Sequence, residues 1–154
     1  MGYTVEVCNK KDIPDAFGQE IKNSIRETGI SGIEEVFTAD LYYFEGDISS
    51  EDIEKIAQDV LLDSVIQQYF LDDVHIRNIK EEDYVVVDVF YKKGVTDAVA
   101  ETVSVAIKDA GIKKEVRVST GKRYYLKGVF TKEEIERICD KVLANRLVQD
   151  YSIK

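Results

Sequence analysis

Two hydrophobic periodicities alternate along the chain. In some stretches apolar and polar residues alternate, which is typical of half-buried strands, and in others apolar residues recur every three or four positions, as in amphipathic helices. The predicted order is strand, helix, strand, helix, strand, and it occurs twice. The elements expected in the first copy are 3–7, 16–28, 33–45, 50–62 and 65–71. In the second copy the expected strands are 85–90, 116–127 and 147–153, and the expected second helix is 132–144.

The residues themselves are also duplicated. Tyr42-Tyr43-Phe44-Glu45-Gly46 returns 82 positions later as Tyr124-Tyr125-Leu126-Lys127-Gly128. Residues 4–72 align with residues 86–154 without a gap, and about a third of the positions are identical. The chain therefore consists of one small unit repeated in tandem, so each motif has a counterpart in the other copy with which it can be compared.

Equivalent residues mark the helix ends in both copies. Asp15 and Asp97 stand where an N-cap side chain is expected, and Gly29 and Gly111 stand where a left-handed helix stop is expected. Thr131-Lys132-Glu133-Glu134 is a capping box.

A single repeat of about 70 residues would have a thin core, so we expect the two copies to pack together. We predict an α+β fold of two β-α-β-α-β units with antiparallel sheets, each covered on one face by its own two helices. The units form a two-subdomain body about a pseudo-twofold axis, in which the sheets either join or stack their bare faces. The expected boundaries are 1–72, a linker over 73–83 and 84–154, with Glu81-Glu82-Asp83 as a solvated linker end.

Charge is divided unequally between the copies. The formal net charge is −9, with −11 on residues 3–72 and +4 on residues 85–154. An acidic chain argues against nucleic-acid binding, and the asymmetry suggests that the two units present different faces to their partners. No apolar run is long enough to span a bilayer and no signal peptide is recognisable, so we expect a cytoplasmic protein without membrane contact. Cys8 and Cys139, at non-equivalent positions, are expected to be buried thiols.

The chain contains no recognisable nucleophile motif, phosphate-binding loop or metal-binding signature. His75, the one histidine, lies in the expected linker, where a solvated or capping role is favoured, and the scattered cysteines predict no metal site. The tyrosine pairs Tyr42-Tyr43 and Tyr124-Tyr125 either stack on a base or, as we favour, place one ring of each pair in the core and one at an interface.

Two polar groups stand out in the second unit. Gly121-Lys122-Arg123 replaces Ala39-Asp40-Leu41 of the first unit, and a glycine beside two cations suits an acidic partner surface or a phosphate. The alternative is an exposed basic turn, and Gly121 also predicts a bulge or bend within its strand. Asn145-Arg146 follows the second helix, where Asn145 is alternatively a left-handed C-cap.

These motifs resemble one known family. The matching pieces, in order, are Lys93-Gly94-Val95-Thr96-Asp97, Gly111, the run from Val116 through Gly121-Lys122, and Cys139-Asp140-Lys141-Val142-Leu143-Ala144-Asn145 through Tyr151. They look like the PurS family, the small structural subunit of phosphoribosylformylglycinamidine synthase. The first unit is a degenerate copy that lacks the Gly-Lys pair, so the chain resembles two fused PurS units, as at the N-terminus of larger synthetase polypeptides.

The resemblance implies a non-catalytic role in purine biosynthesis. PurS proteins dimerise and sit between a glutaminase subunit, which releases ammonia, and a synthetase subunit, which uses ATP. No cofactor is expected in this chain, with ATP and Mg on the synthetase partner, and a homodimer remains an alternative assembly. We expect the partner-binding edge to comprise Gly121, Lys122, Arg123, Asn145 and Arg146. On this reading, Lys122→Glu with Arg123→Glu weakens assembly and leaves the fold intact. The chain fits either a stand-alone subunit or a domain of a longer synthetase.

Two other readings remain open. Tandem strand–helix units commonly bind small molecules where they meet, so a nucleotide- or amino-acid-sensing domain is the main alternative, with the tyrosines, Lys122 and Arg123 as ligand contacts. An independent enzyme is disfavoured because the sequence supplies no catalytic set.

Overall fold

A computed structural model describes residues 2–78 and 84–154 of the chain. Residues 79–83, which include the expected solvated linker end Glu81-Glu82-Asp83, lie outside the described residues. The strands are β1 (Gly2–Asn9), β2 (Ile33–Gly46), β3 (Gln67–Leu71), β4 (Tyr84–Tyr91), β5 (Val116–Gly128) and β6 (Gln149–Ile153). The helices are α1 (Ala16–Glu27), α2 (Ser50–Ile56), α3 (Val74–Asn78), α4 (Ala98–Asp109) and α5 (Lys132–Ile138).

The strands form one antiparallel sheet in the order β3-β1-β2-β5-β4-β6. Within each repeat the first strand lies between the other two. Val7 of β1, for example, is opposite Asp40 on β2 and Tyr69 on β3. The predicted α+β class is confirmed, and of the two arrangements left open for the sheets, the joined one is observed.

The predicted caps are present in both repeats, and they also tie each first helix to a strand. The Asp15 carboxylate accepts the Gly18 backbone N–H at 2.9 Å and the Thr38 backbone N–H at 2.7 Å. Asp97 makes the equivalent bonds to Ala100 at 3.0 Å and Thr120 at 2.8 Å. In each repeat a single aspartate side chain therefore caps the first helix and holds its start against β2 or β5.

Helix stops and second-helix starts also follow the sequence. Gly29 and Gly111 have φ of +94° and +89°, which confirms the predicted left-handed positions. The capping box predicted at Thr131 is present, and Ser49 with Asp52 forms another at the start of α2.

The second helix of each repeat ends in a π-helical turn, which the sequence did not predict. α2 continues as π1 (Ala57–Leu61) and α5 as π2 (Cys139–Leu143), and the Ala144 N–H donates to the Cys139 carbonyl at 3.0 Å. The next residues, Leu62 and Ala144, are already extended. The wider turn takes up one extra residue before the chain leaves the helix.

Tertiary contacts divide the chain into two compact units that differ from the sequence repeats. Of the described residues, unit 1 contains 2–13, 40–78 and 96–120, and unit 2 contains 14–39, 84–95 and 121–154. Each compact unit is therefore built from pieces of both repeats.

The first helices account for this exchange. In unit 1, Val103 and Ile107 of α4 join the core that contains Val5 and Phe44 from the first repeat. In unit 2, one core combines residues of α1 and the following segment with residues of the second repeat. The first group is Ile21, Ile25, Ile30, Ile33 and Val36, and the second group is Val87, Val89, Tyr124, Leu126, Ile138, Cys139, Leu143 and Ala144.

The expectation that each repeat covers its own sheet with both of its helices was therefore wrong. The two repeats offer equivalent apolar faces, so periodicity alone does not distinguish a repeat's own helix from that of the other repeat. No helix in the described part of the chain is long and apolar enough to cross a membrane.

Candidate functional site

The residues Gly121, Lys122 and Arg123 are consecutive on β5 in an unbroken register with β4. They lie opposite Phe90, Val89 and Asp88 in turn, so the bulge or bend predicted at Gly121 is absent from this pairing. Because successive residues of a strand point to opposite faces, Lys122 and Arg123 project in opposite directions.

Lys122 is exposed and lies against an aromatic ring of α1. Its ammonium is 4.9 Å from the centroid of the Phe17 ring, a cation–π distance, and 38% of Phe17 is accessible to solvent. A cation and an apolar ring thus share one patch of the unit 2 surface.

Arg123 is buried in an ion pair and is 1% exposed. Its Nε donates to Asp88 Oδ1 at 2.7 Å and its Nη2 to Oδ2 at 2.9 Å, the two-pronged geometry that arginine favours with carboxylates. The alternative of an exposed basic turn is therefore wrong at Arg123. Arg123→Glu would bury two carboxylates together, so we expect this substitution, unlike Lys122→Glu, to destabilise the fold.

The equivalent carboxylate of the first repeat has a different partner. Glu6 aligns with Asp88, but Leu41 stands where the second repeat has Arg123. Glu6 is 1% exposed, and its Oε2 lies 2.9 Å from Nδ1 of His75, which stacks on Phe70 at 4.3 Å between ring centroids. His75 belongs to α3 and is only 25% exposed, so the solvated environment favoured for it was wrong.

Asn145 begins a side-chain-stabilised turn. Its Oδ1 accepts the Leu147 N–H at 3.1 Å, while its own N–H donates to Gln149 Oε1 at 2.8 Å. Asp72 and Asp73 are the non-glycine residues with positive φ among those described, so Asn145 is not the left-handed C-cap considered above.

The first repeat contains the same turn. The Asp63 carboxylate accepts the Val65 N–H at 3.0 Å, and the Asp63 N–H donates to Gln67 Oε1 at 2.9 Å. Both turns hold an apolar residue toward solvent, Val65 at 77% exposure and Leu147 at 86%. The turns differ at their first residue, Asp63 or Asn145, and at the intervening residue, which is Ser64 in one and Arg146 in the other.

Arg146 is anchored beside this turn by two acids and a ring. Its guanidinium donates to Asp140 at 3.0 Å, lies 3.7 Å from Asp150 and stands 4.9 Å from the Tyr151 ring centroid. The hydrogen bond to Asp140 is the main cause that raises the pKa of Arg146. The side chain is half-exposed, so its charge remains accessible to a partner.

The sheet register brings part of the predicted edge to one face. Lys122, Val89 and Tyr151 form one row across three strands, and Val89 and Tyr151 belong to the helix-covered core face. Lys122 and Tyr151 therefore lie on the same side of the sheet, with their backbones about two strand spacings or ~10 Å apart, and Arg146 contacts the Tyr151 ring. Arg123 is on the other side.

Sequence reasoning missed the apolar members of this surface, Phe17, Leu147 and Tyr151. A signal for Leu147 existed, because an apolar residue occupies the middle of the same polar turn in both copies. Phe17 had no local signal, because its position depends on the helix exchange.

The second tyrosine pair does not behave as expected. Tyr124 and Tyr125 are both buried, at 4% and 3% exposure, so the prediction of one interfacial ring is wrong for this pair. Burial raises the pKa of Tyr42 to about 12 and that of the Cys139 thiol to about 11. Both groups stay protonated at neutral pH.

Glu6 and His75 also lie near a thiol. One ligand atom each from Glu6, Cys8 and His75 lie within 4.8 Å of one another. Sequence reasoning missed this group because His75 is 67 positions beyond Cys8 and no short ligand motif connects them.

Comparison with protein-family models shows which family the chain belongs to. The model described as PurS, phosphoribosylformylglycinamidine (FGAM) synthase, matches the chain twice, over residues 3–74 and 84–154. The chain belongs to the PurS family. Its repeats are two tandem PurS-like units, and the family places its role in FGAM synthase and purine biosynthesis. A search of curated proteins gave no significant match.

Proposed function

We propose that this chain is a non-catalytic structural part of FGAM synthase that holds a glutaminase and a synthetase in register for ammonia transfer. The observation that carries the proposal is the double PurS match, which spans both repeats. Two linked repeats can engage two partner surfaces. Once the first repeat is bound, the second contact forms at a high effective concentration.

The local chemistry supports a structural role. Several groups that resemble catalytic side chains are used internally: Asp88 and Arg123 pair with each other, and burial keeps the Cys139 thiol protonated. A thiol is nucleophilic as its thiolate, so a pKa of about 11 disfavours that function for Cys139.

Unit 2 offers a surface suited to a protein partner. We define the Lys122–Arg146 face by Phe17, Lys122, Arg146, Leu147 and Tyr151. Arginine and aromatic residues are enriched in protein interfaces, and here two cations flank exposed apolar groups. This chemistry fits an acidic partner surface with an apolar depression that receives Leu147.

The first repeat has diverged at the equivalent positions. Asp40 and Ser64 replace Lys122 and Arg146, while Val65 retains the apolar turn residue. The two repeats therefore retain the shape of the turn and differ in charge, as expected if they contact different partners.

The test is reconstitution with the glutaminase and synthetase parts of the complex, using Lys122→Glu with Arg146→Glu. We expect partner affinity to fall about tenfold or more, a loss of about 1.4 kcal/mol. Amidation driven by glutamine should fall at subsaturating concentrations, while amidation driven by free ammonia should not change. Arg123 is left intact so that the fold is preserved.

Lys108→Glu with Lys113→Glu provides a matched control. It changes the net charge by the same amount at exposed residues of unit 1. If both double variants weaken assembly equally, the loss comes from the change in net charge, and the assignment of the Lys122–Arg146 face as the partner-binding surface is wrong. If the unaltered chain leaves the glutamine-driven reaction unchanged and forms no complex, the bridging function is wrong.

A further inference from the structure

We propose that Glu6, Cys8 and His75 form a binding site for Zn²⁺. Their carboxylate oxygen, thiol sulfur and ring nitrogen lie within 4.8 Å of one another. Oxygen, sulfur and nitrogen from these residue types are the donors that protein zinc sites use.

The backbone explains why these groups converge. Glu6 and Cys8 are two residues apart on β1, so their side chains project from the same face of the sheet. His75 comes from α3 and directs Nδ1 toward Glu6, with 2.9 Å between Nδ1 and Oε2. Tetrahedral zinc with bonds of about 2.0–2.3 Å separates its ligand atoms by roughly 3.3–3.8 Å, so small side-chain movements would admit the ion.

Neighbouring residues hold two of the three ligands in orientation. The His75 ring is stacked on Phe70 with 13° between the ring planes, and Gln68 Nε2 is 4.0 Å from Cys8 Sγ. Supporting contacts of this kind fix ligand geometry in metal sites. Glu6 is buried, whereas Cys8 and His75 are partly exposed, which gives an ion a route from solvent.

The donor set favours a transition metal over Ca²⁺ or Mg²⁺. Calcium and magnesium prefer oxygen ligands throughout, whereas this cluster supplies sulfur and imidazole nitrogen. Three protein ligands leave one tetrahedral position for water or a fourth donor. Binding releases the Cys8 thiol proton, and the resulting thiolate and the Glu6 carboxylate together balance the charge of the ion.

The site belongs to the first repeat alone. Asp88 and Phe90 occupy the positions equivalent to Glu6 and Cys8, and His75 lies beyond the end of the aligned repeat. In the second repeat Arg123 neutralises the buried acid. In the first repeat, zinc would do so while fastening α3 to β1, a consequence that does not depend on the proposed bridging function.

The test uses the full chain, reduced and freed of metal by a chelator, and titrated with Co²⁺ as a spectroscopic substitute for Zn²⁺. We expect a thiolate-to-cobalt charge-transfer band that one equivalent of Zn²⁺ displaces. Cys8→Ser should abolish the band. His75→Gln, which retains a hydrogen-bond donor for Glu6, should lower affinity beyond the roughly 10–100-fold loss typical of an outer-shell change.

Cys139→Ala is the matched control, because alanine is the natural residue at the equivalent position 57. It should leave the band unchanged and should retain the rise in melting temperature that Zn²⁺ produces by binding the native state. Absence of the band from the unaltered chain, its persistence in Cys8→Ser, or equal Zn²⁺ affinity in His75→Gln would overturn the proposal. Circular dichroism of each variant separates loss of binding from loss of fold.

Discussion

At the scale of single residues, two buried carboxylates at equivalent positions have different partners. Asp88 pairs with Arg123 from the adjacent strand, and Glu6 contacts His75 from a helix beyond the repeat. A buried charge is costly unless it is paired, so each acid requires a partner. Both repeats therefore contain the buried acid, but its partner differs between them.

Removing Arg123 should be far more damaging than removing an exposed arginine. We expect Arg123→Leu, which introduces the residue found at position 41, to lower the free energy of unfolding by about 3–5 kcal/mol because Asp88 is left buried. Lys154, whose Nζ is 3.6 Å from Asp88 Oδ2, is too exposed to replace the guanidinium. Urea denaturation would measure the loss.

Two comparison variants make this prediction specific. Arg146→Leu breaks the exposed pair with Asp140 and should cost at most about 1 kcal/mol. Asp88→Val combined with Arg123→Leu removes both charges and should recover most of the stability. An equal loss in Arg123→Leu and Arg146→Leu would show that burial does not determine the cost.

The sequence revealed residue roles where they depend on near neighbours. Asp15, Asp97 and Thr131 were predicted as caps because each acts on a backbone N–H three residues away. The contacts of Arg123 and His75 were missed because their partners are 35 and 69 residues distant. The basic composition near Arg123 suggested an exposed surface, whereas its side chain is buried.

At the scale of elements, the first helices determine how the cores are divided. α1 packs against π2 of the second repeat, and α4 packs against π1 of the first repeat. The element order was readable from periodicity, but the packing partner was not, since both repeats present apolar residues at equivalent positions. The π-helical turns were also missed, because they differ from an α-helix by a single hydrogen-bond register.

A double-mutant cycle should detect the exchanged packing. Ile25 of α1 and Leu143 of π2 belong to one buried cluster, so Ile25→Ala and Leu143→Ala should each cost about 2–5 kcal/mol. Because they share a core, their combined effect should depart from additivity by about 0.5 kcal/mol or more in equilibrium unfolding.

Leu61 supplies the matched comparison for that cycle. It is the residue of the first repeat equivalent to Leu143, and it packs in the other cluster. Ile25→Ala with Leu61→Ala should therefore be additive within about 0.5 kcal/mol. Coupling of Ile25 to Leu61 instead of Leu143 would mean that α1 covers its own repeat.

At the scale of the whole molecule, the duplication was fully visible in sequence, while the way the copies complete each other was not. The ungapped alignment identified two equivalent units, and the family match covers the same two stretches. Whether the sheets join or stack depends on pairing between the copies, which alternation within one strand does not specify. The compact units cut across the repeats for a related reason: both repeats offer equivalent apolar faces, so periodicity does not indicate which repeat a first helix covers.

This arrangement predicts that neither repeat folds alone as a monomer. Residues 1–78 lack the α4 side chains that complete the core around Val5 and Phe44, and residues 84–154 lack the α1 side chains that complete the core around Val87 and Leu126. A domain of this size has little stability to spare, so loss of a buried helix face should abolish cooperative unfolding. Circular dichroism during urea titration should show weak or concentration-dependent transitions for each half and a single cooperative transition for an equimolar mixture. Two halves that each unfold cooperatively as monomers, with no change on mixing, would contradict the exchange. Recovery only on mixing would show that the two repeats diverged as complementary parts of one structure, since each would then need the other's helix to close its core.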